Sequence, residues 1–131
     1  MPAKKGHPDA AYVEEVVERL GAFGPVSSRF MFGGFGLYAD GAMFGLVDDG
    51  TLYLRADEVN RPSFEAVGAQ PWVYEMKGKP STMPYYPIPE DDFDDRDALR
   101  GWFEGARAAA LRVAAAKKPR APKAQPKAKR A

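Results

Sequence analysis

The densest chemistry in this chain is cationic. Lys117, Lys118, Arg120, Lys123, Lys127, Lys129 and Arg130 stand within residues 117–131, separated only by Ala, Pro and one Gln. Seven cations on such a backbone could displace counterions from DNA or RNA and hold it without sequence preference, at dissociation constants of about 10⁻⁴–10⁻⁶ M. The same composition would also suit an arm that merely keeps the protein in solution. The segment holds seven of the 19 basic residues and none of the 18 acids, so the net charge of +1 divides into −6 before it and +7 within it. A split of this size points to two parts with separate physical roles.

The other candidate sites each have a plainer account. Gly33-Gly34-Phe35-Gly36 has the glycines of a phosphate loop, but such loops lead into a helix whose N-terminus meets the anion. Strand-like sequence follows here, so Phe32, Gly33, Gly34 and Gly36 are read as a structural turn or bulge that lets backbones approach closely. His7 is the only histidine and there is no cysteine. A metal-ligand set and a Ser-His-Asp arrangement therefore both lack members. Glu90, Asp91, Asp92, Asp94, Asp95 and Asp97 could meet a hard cation, but without the spacing of a calcium loop. Helix capping and solvation explain them, with a salt-sensitive contact to the basic segment as a further option. Lys77, Lys79, Tyr85 and Tyr86 could make a basic, aromatic surface for single strands, or simply a β-hairpin with half-buried tyrosines. Trp72, Trp102 and Phe103 suit a core. No catalytic residue, metal or cofactor is assigned, and the chain is expected not to be an enzyme.

These residues need a scaffold, and the hydrophobic pattern supplies one. Val13, Val16, Val17 and Leu20 recur at helical spacing behind Asp9, with Gly21 expected to end the helix in the left-handed conformation. From Val26 the period changes to two, through Ser28, Phe30 and Phe32. Strands are predicted over Phe35–Ala39, Ala42–Asp48 and Thr51–Ala56, joined at Asp40-Gly41 and Asp49-Gly50, dipeptides that favour tight hairpin turns. A short helix follows from Pro62 to Gly68, and then an extended Pro71–Met76. Ser81–Ile88 is read as its returning partner, an edge strand or extended coil because Pro84 and Pro87 cannot donate to a ladder. One last helix opens in the acidic cluster, with Leu99, Trp102, Phe103, Ala106, Ala110 and Val113 on its apolar face. The fold class is α+β: an antiparallel sheet of five to six strands, a meander plus a later hairpin, packed with N-terminal, middle and C-terminal helices.

Three stretches follow: a flexible start at 1–8, a domain at 9–116 and a disordered basic Lys/Ala/Pro tail at 117–131. The start is basic but no apolar run follows it, which argues against a secretory signal. No stretch is long and apolar enough to span a membrane. A cytoplasmic protein is expected.

The series Met31-Phe32-Gly33-Gly34-Phe35-Gly36-Leu37-Tyr38, Asp40-Gly41-Ala42-Met43-Phe44-Gly45-Leu46-Val47 and Thr51-Leu52-Tyr53-Leu54-Arg55 resembles the N-terminal domain of the TfoX/Sxy family. So do Arg61-Pro62-Ser63-Phe64-Glu65-Ala66-Val67-Gly68, Tyr74-Glu75-Met76-Lys77-Gly78-Lys79-Pro80 and Met83-Pro84-Tyr85-Tyr86. The match runs in order from about residue 10 to 115. The resemblance implies an α+β domain found in bacterial regulators of natural competence, which act with a cyclic-AMP-dependent transcription activator. Those regulators carry a second, C-terminal domain, whereas a stand-alone domain with a basic tail is expected here. The family supplies no catalytic residues. The expected role is a non-catalytic regulatory or adaptor module linked to transcription or DNA, with a protein partner or self-association through the body and non-specific DNA or RNA contact through the tail. The alternative is a small-molecule-binding domain, with a pocket near the glycine turn and a neutral tail.

Overall fold

The computed structural model describes residues 7–31 and 33–117. Helix α1, Ala10–Gly21, buries Val13, Val16 and Leu20. Asp9 stands at its N-cap without a side-chain capping bond, and Gly21 stays helical. The chain then tightens, with Phe23 N–H donating to the Leu20 carbonyl at 2.9 Å. That extra turn delivers Phe23 against Phe103, with ring centroids 6.0 Å apart. The helix thus ends at Gly21 as expected, but with Gly21 helical rather than left-handed and Ala22 at the C-cap.

Strands β1 (Ser27–Met31), β2 (Gly34–Ala39), β3 (Ala42–Asp48) and β4 (Thr51–Arg55) form the antiparallel meander. Both Asp-Gly turns have positive φ at each central residue, 56° and 79° at Asp40-Gly41 and 51° and 74° at Asp49-Gly50. This turn geometry matches the right-handed twist of the strands it joins. The β2–β3 register shifts between Leu37 and Tyr38, a bulge that puts Phe44 and Gly45 on the helix-facing side.

Helix α2, Arg61–Ala66, follows with Asn60 at its N-cap. Asn60 does not cap through its side chain. Its Oδ1 accepts from Asp57 N–H at 2.7 Å and its Nδ2 donates to the Arg55 carbonyl at 3.0 Å, which stitches the loop between β4 and α2.

The segment read as one returning strand is two. Strands β5 (Trp72–Met76) and β6 (Lys79–Met83) pair as a separate hairpin, while β7 (Tyr85–Pro87) joins β4 at the edge of the main sheet. Pro84 separates them. It has no N–H for a ladder, and its carbonyl accepts instead from Ala56 N–H at 2.8 Å. The main sheet therefore has five strands in the order β1-β2-β3-β4-β7, and the second sheet has two.

The last helix is also divided, into α3 (Glu90–Phe93) and α4 (Arg96–Lys117). Asp95 Oδ1 accepts from Ala98 N–H at 3.1 Å, so a new helix starts inside the acidic run.

The sheet is covered on both faces. Phe35, Leu37, Phe44, Val47, Leu52 and Leu54 meet α1 and α4 through Val16, Leu20, Leu99, Phe103 and Ala106. Phe103 is fully buried, edge-on to Phe44 at 5.1 Å. Beside it Phe64 stacks on Tyr86 and packs against Trp102. On the other face the β5–β6 hairpin brings Trp72 onto Leu46 and Tyr85. Trp72 Nε1–H donates to Asp48 Oδ2 at 3.0 Å, anchoring the hairpin to the sheet.

Candidate functional site

Each glycine of the motif has a distinct structural task. Gly33 makes the β1–β2 turn with φ of 76°. Gly34 lies so close to β3 that an added Cβ would sit 2.5 Å from the Val47 carbonyl oxygen. A Cβ on Gly36 would meet Met31 Sδ at 2.7 Å and Met43 Sδ at 3.3 Å. The cavity bounded by Gly34, Gly36, Met43 and Trp72 is about 10 Å³, which is space for one water at most. The pocket expected near the glycine turn therefore cannot take a metabolite. Phe32 lies outside the described residues.

His7 is docked rather than frayed. Its Nε2 contacts the Gly33 carbonyl at 2.9 Å and its Nδ1 accepts from Asp9 N–H at 3.0 Å. The neutral Nε2–H tautomer satisfies both bonds. The ring stands edge-on to Phe30 and Phe35. This side chain thus pins the N-terminal approach of α1 to the glycine turn. Residues 1–6 of the expected flexible start lie outside the described residues.

Lys77 and Lys79 are exposed at the hairpin, whereas Tyr85 and Tyr86 are buried on opposite faces of β7. These four do not form one platform. Trp72 and Phe103 are buried, and Trp102 is partly buried with its Nε1–H donating to Asp92 Oδ2 at 2.8 Å. Asp94 accepts from Arg19 at 2.9 Å, so two carboxylates of the acidic run (Asp92 and Asp94) hold helices together while Asp95 caps α4. Among the described residues no group of three or more His, Asp or Glu could hold a metal ion, and no helix is long and apolar enough to cross a membrane.

Charge is distributed along α4. Glu90, Asp91, Asp92 and Asp97 occupy first-turn positions of α3 and α4, and Lys117 ends α4. At 1.5 Å per residue, a 22-residue helix separates its two ends by roughly 33 Å. Lys117 is exposed, while Lys118, Arg120, Lys123, Lys127, Lys129 and Arg130 lie outside the described residues. Near the basic end Arg112 grips Asp57 in a fork, at 2.6 and 2.9 Å. The guanidinium, helped by the Asn60 and Val59 N–H groups, overcomes partial burial and holds the Asp57 carboxyl at about 2, below its ordinary 3.8.

Sequence reasoning passed over Arg55. It follows Leu52 and Leu54 in β4, and the strand period places it with Tyr53 on the opposite face. That face would be solvent in a two-layer fold, so nothing local marks the residue, which is partly exposed with its Nε buried.

A meander with a glycine-pinned first turn, a hairpin on one face and a long C-terminal helix on the other make this an α+β domain. The family model described as the TfoX N-terminal domain matches residues 18–110, and the chain belongs to that family. The DNA transformation protein TfoX1 of Aliivibrio fischeri (strain ATCC 700601 / ES114) is 38% identical over 74 residues. The aligned part is 56% of this chain and 34% of that protein, so the chain spans about a third of that relative's length.

Proposed function

We propose that this protein is a non-catalytic regulatory or adaptor module in a process related to DNA transformation, acting in the cytoplasm. The body engages a protein partner or a second copy of itself. The basic segment keeps the module near nucleic acid without reading its sequence. Membership of the TfoX N-terminal domain family and the name of the A. fischeri relative support the regulatory part.

The observation that carries the nucleic-acid part is the charge division, −6 in residues 1–116 against +7 in 117–131. The acids near the start of α4 lie a helix length away from Lys117, where the basic run begins. A polyanion can therefore approach the cations without first meeting that carboxylate cluster, and screening over about 10 Å weakens the repulsion further.

Fluorescence anisotropy on labelled duplex DNA tests this, comparing the full chain with a version ending at Lys117. That version loses six cations and keeps all of α4. The full chain should bind weakly and with strong salt dependence, the log–log slope reaching about −5 if all six meet phosphate. Equal affinity and equal salt dependence in the two versions would refute the role of the segment.

A further inference from the structure

We infer that Arg55 and Lys117 form a binding site for a small amphipathic anion, in the groove between the sheet end and the last turns of α4. Arg55 closes β4 and pairs across the edge with Tyr85 of β7. Its guanidinium carbon lies 5.4 Å from the Tyr85 ring centroid. Its Nε is buried and, among the described residues, is the one buried side-chain nitrogen or oxygen with no hydrogen-bond partner. No carboxylate among the described residues forms an ion pair with it. The contrast lies on α4 itself, where Arg107 is paired with Glu104 and Asp40, and Arg112 with Asp57.

A buried N–H left without an acceptor destabilises a fold, and one on a charged group does so more strongly. That atom is itself closed to solvent, but the Arg55 side chain also lines an open groove, and among the described residues its guanidinium meets no ion-pair or hydrogen-bond acceptor there. The groove is about 200 Å³, some twenty times the cavity under the glycine turn, and Lys117 stands on its wall. Its remaining walls are mainly apolar: Met43, Tyr85, Ala110, Val113 and Ala114. Bare phosphate would gain nothing from them. A carboxylate or phosphate head on a short apolar body satisfies both halves, its oxygens taking the Arg55 and Lys117 donors and its body covering Met43 and Val113. The site shares Lys117 with the basic segment but uses none of the six cations beyond it, so the version ending at Lys117 should keep it.

The test is NMR titration of the full ¹⁵N-labelled protein with benzoate and with phenyl phosphate, using inorganic phosphate and sodium chloride as controls. Both aryl anions should give saturable shifts at the Arg55 Nε–H and at backbone amides near Met43, Tyr85 and 110–117. They should bind at least about tenfold more tightly than inorganic phosphate, because only they cover the apolar wall. The tighter of the two identifies the preferred head group. Arg55→Gln should weaken binding by about tenfold or more. Lys117→Glu, at the exposed last residue of α4, should weaken it likewise and serves should Arg55→Gln fail to fold. Absence of saturation by about 10 mM, equal binding of inorganic phosphate, shifts elsewhere on the domain, or full affinity in Lys117→Glu would each overturn the assignment.

Discussion

Replacing Gly34 with alanine adds one methyl group at the place where the family motif presses hardest on the fold. The new Cβ would stand 2.5 Å from the Val47 carbonyl oxygen, inside the distance at which real Cβ contacts occur. Val47 cannot yield easily, because it pairs with Phe35 on one side and Leu52 on the other. The displacement must fall on the start of β2, next to Phe35, which is 1% exposed. Overpacking of this kind costs about 2–3 kcal/mol. Alanine also restricts the unfolded chain, which returns roughly 0.5–1 kcal/mol. The net loss is about 2 kcal/mol, a large share of the roughly 5–15 kcal/mol that holds a domain folded. Gly36→Ala is the matched control. There the nearest atoms are the sulfurs of Met31 and Met43 and the Tyr38 ring, all on side chains. Thioether chains can swing aside for about 1 kcal/mol, which the entropy gain nearly cancels. Urea unfolding followed by Trp fluorescence measures both variants. Gly34→Ala within about 0.5 kcal/mol of the parent, or Gly36→Ala as damaging as Gly34→Ala, would refute the close-approach argument.

Two further outcomes follow from the described contacts. The Asp57 carboxyl titrates at about 2 in the folded protein against 3.8 ordinarily, so the Asp57–Arg112 pair stabilises fully above about pH 4 and its contribution is lost as pH falls toward 2. Half-exposure of Arg112 limits the effect to about 1 kcal/mol, and the drop in urea midpoint between pH 7 and pH 3 should be smaller in Asp57→Asn than in the parent. Trp72→Phe keeps a ring on Leu46 but removes the donor to Asp48, and should lower the local stability of the β5–β6 hairpin by about 1 kcal/mol. Native-state hydrogen exchange should then quicken at 72–83 while α4 keeps its protection.

Much of the scaffold was legible because its signals are local. Asp40-Gly41 and Asp49-Gly50 name their own turn type, and β3 occupies the span that its alternation and flanking turns predict. The misses share a cause, a choice among local options made by distant residues. Any acid from Glu90 to Asp97 is an acceptable helix cap, and Asp95 takes that task where the chain must turn α4 onto the sheet. Pro84 was legible as a ladder breaker, but its carbonyl bond to Ala56 assigns Tyr85–Pro87 to a different sheet from Lys79–Met83. His7 sits among Pro, Gly and Lys and reads as a loose end, yet Phe30, Phe35 and the Gly33 carbonyl receive it. Gly21 is the last residue of α1 as its place suggests, but it stays helical because the next turn must bring Phe23 into the core.

The two candidate binding elements differ in the same way. A run of cations acts through charge density, which composition carries, so residues 117–131 stand out in the sequence alone. A pocket acts through proximity, which composition does not carry. Arg55, Tyr85 and Lys117 are 30 and 32 positions apart in sequence, and each is ordinary where it stands. An arginine on the open face of a strand is hydrated and needs no partner. Its Nε becomes closed to solvent only once β7 has paired with β4 and the last turns of α4 stand beside the sheet end. The first step depends on Pro84 diverting the chain out of the β5–β6 hairpin. The unpartnered Nε is thus a product of the topology: had Ser81–Ile88 stayed one strand, Tyr85 would not lie under Arg55 and the groove would have no floor.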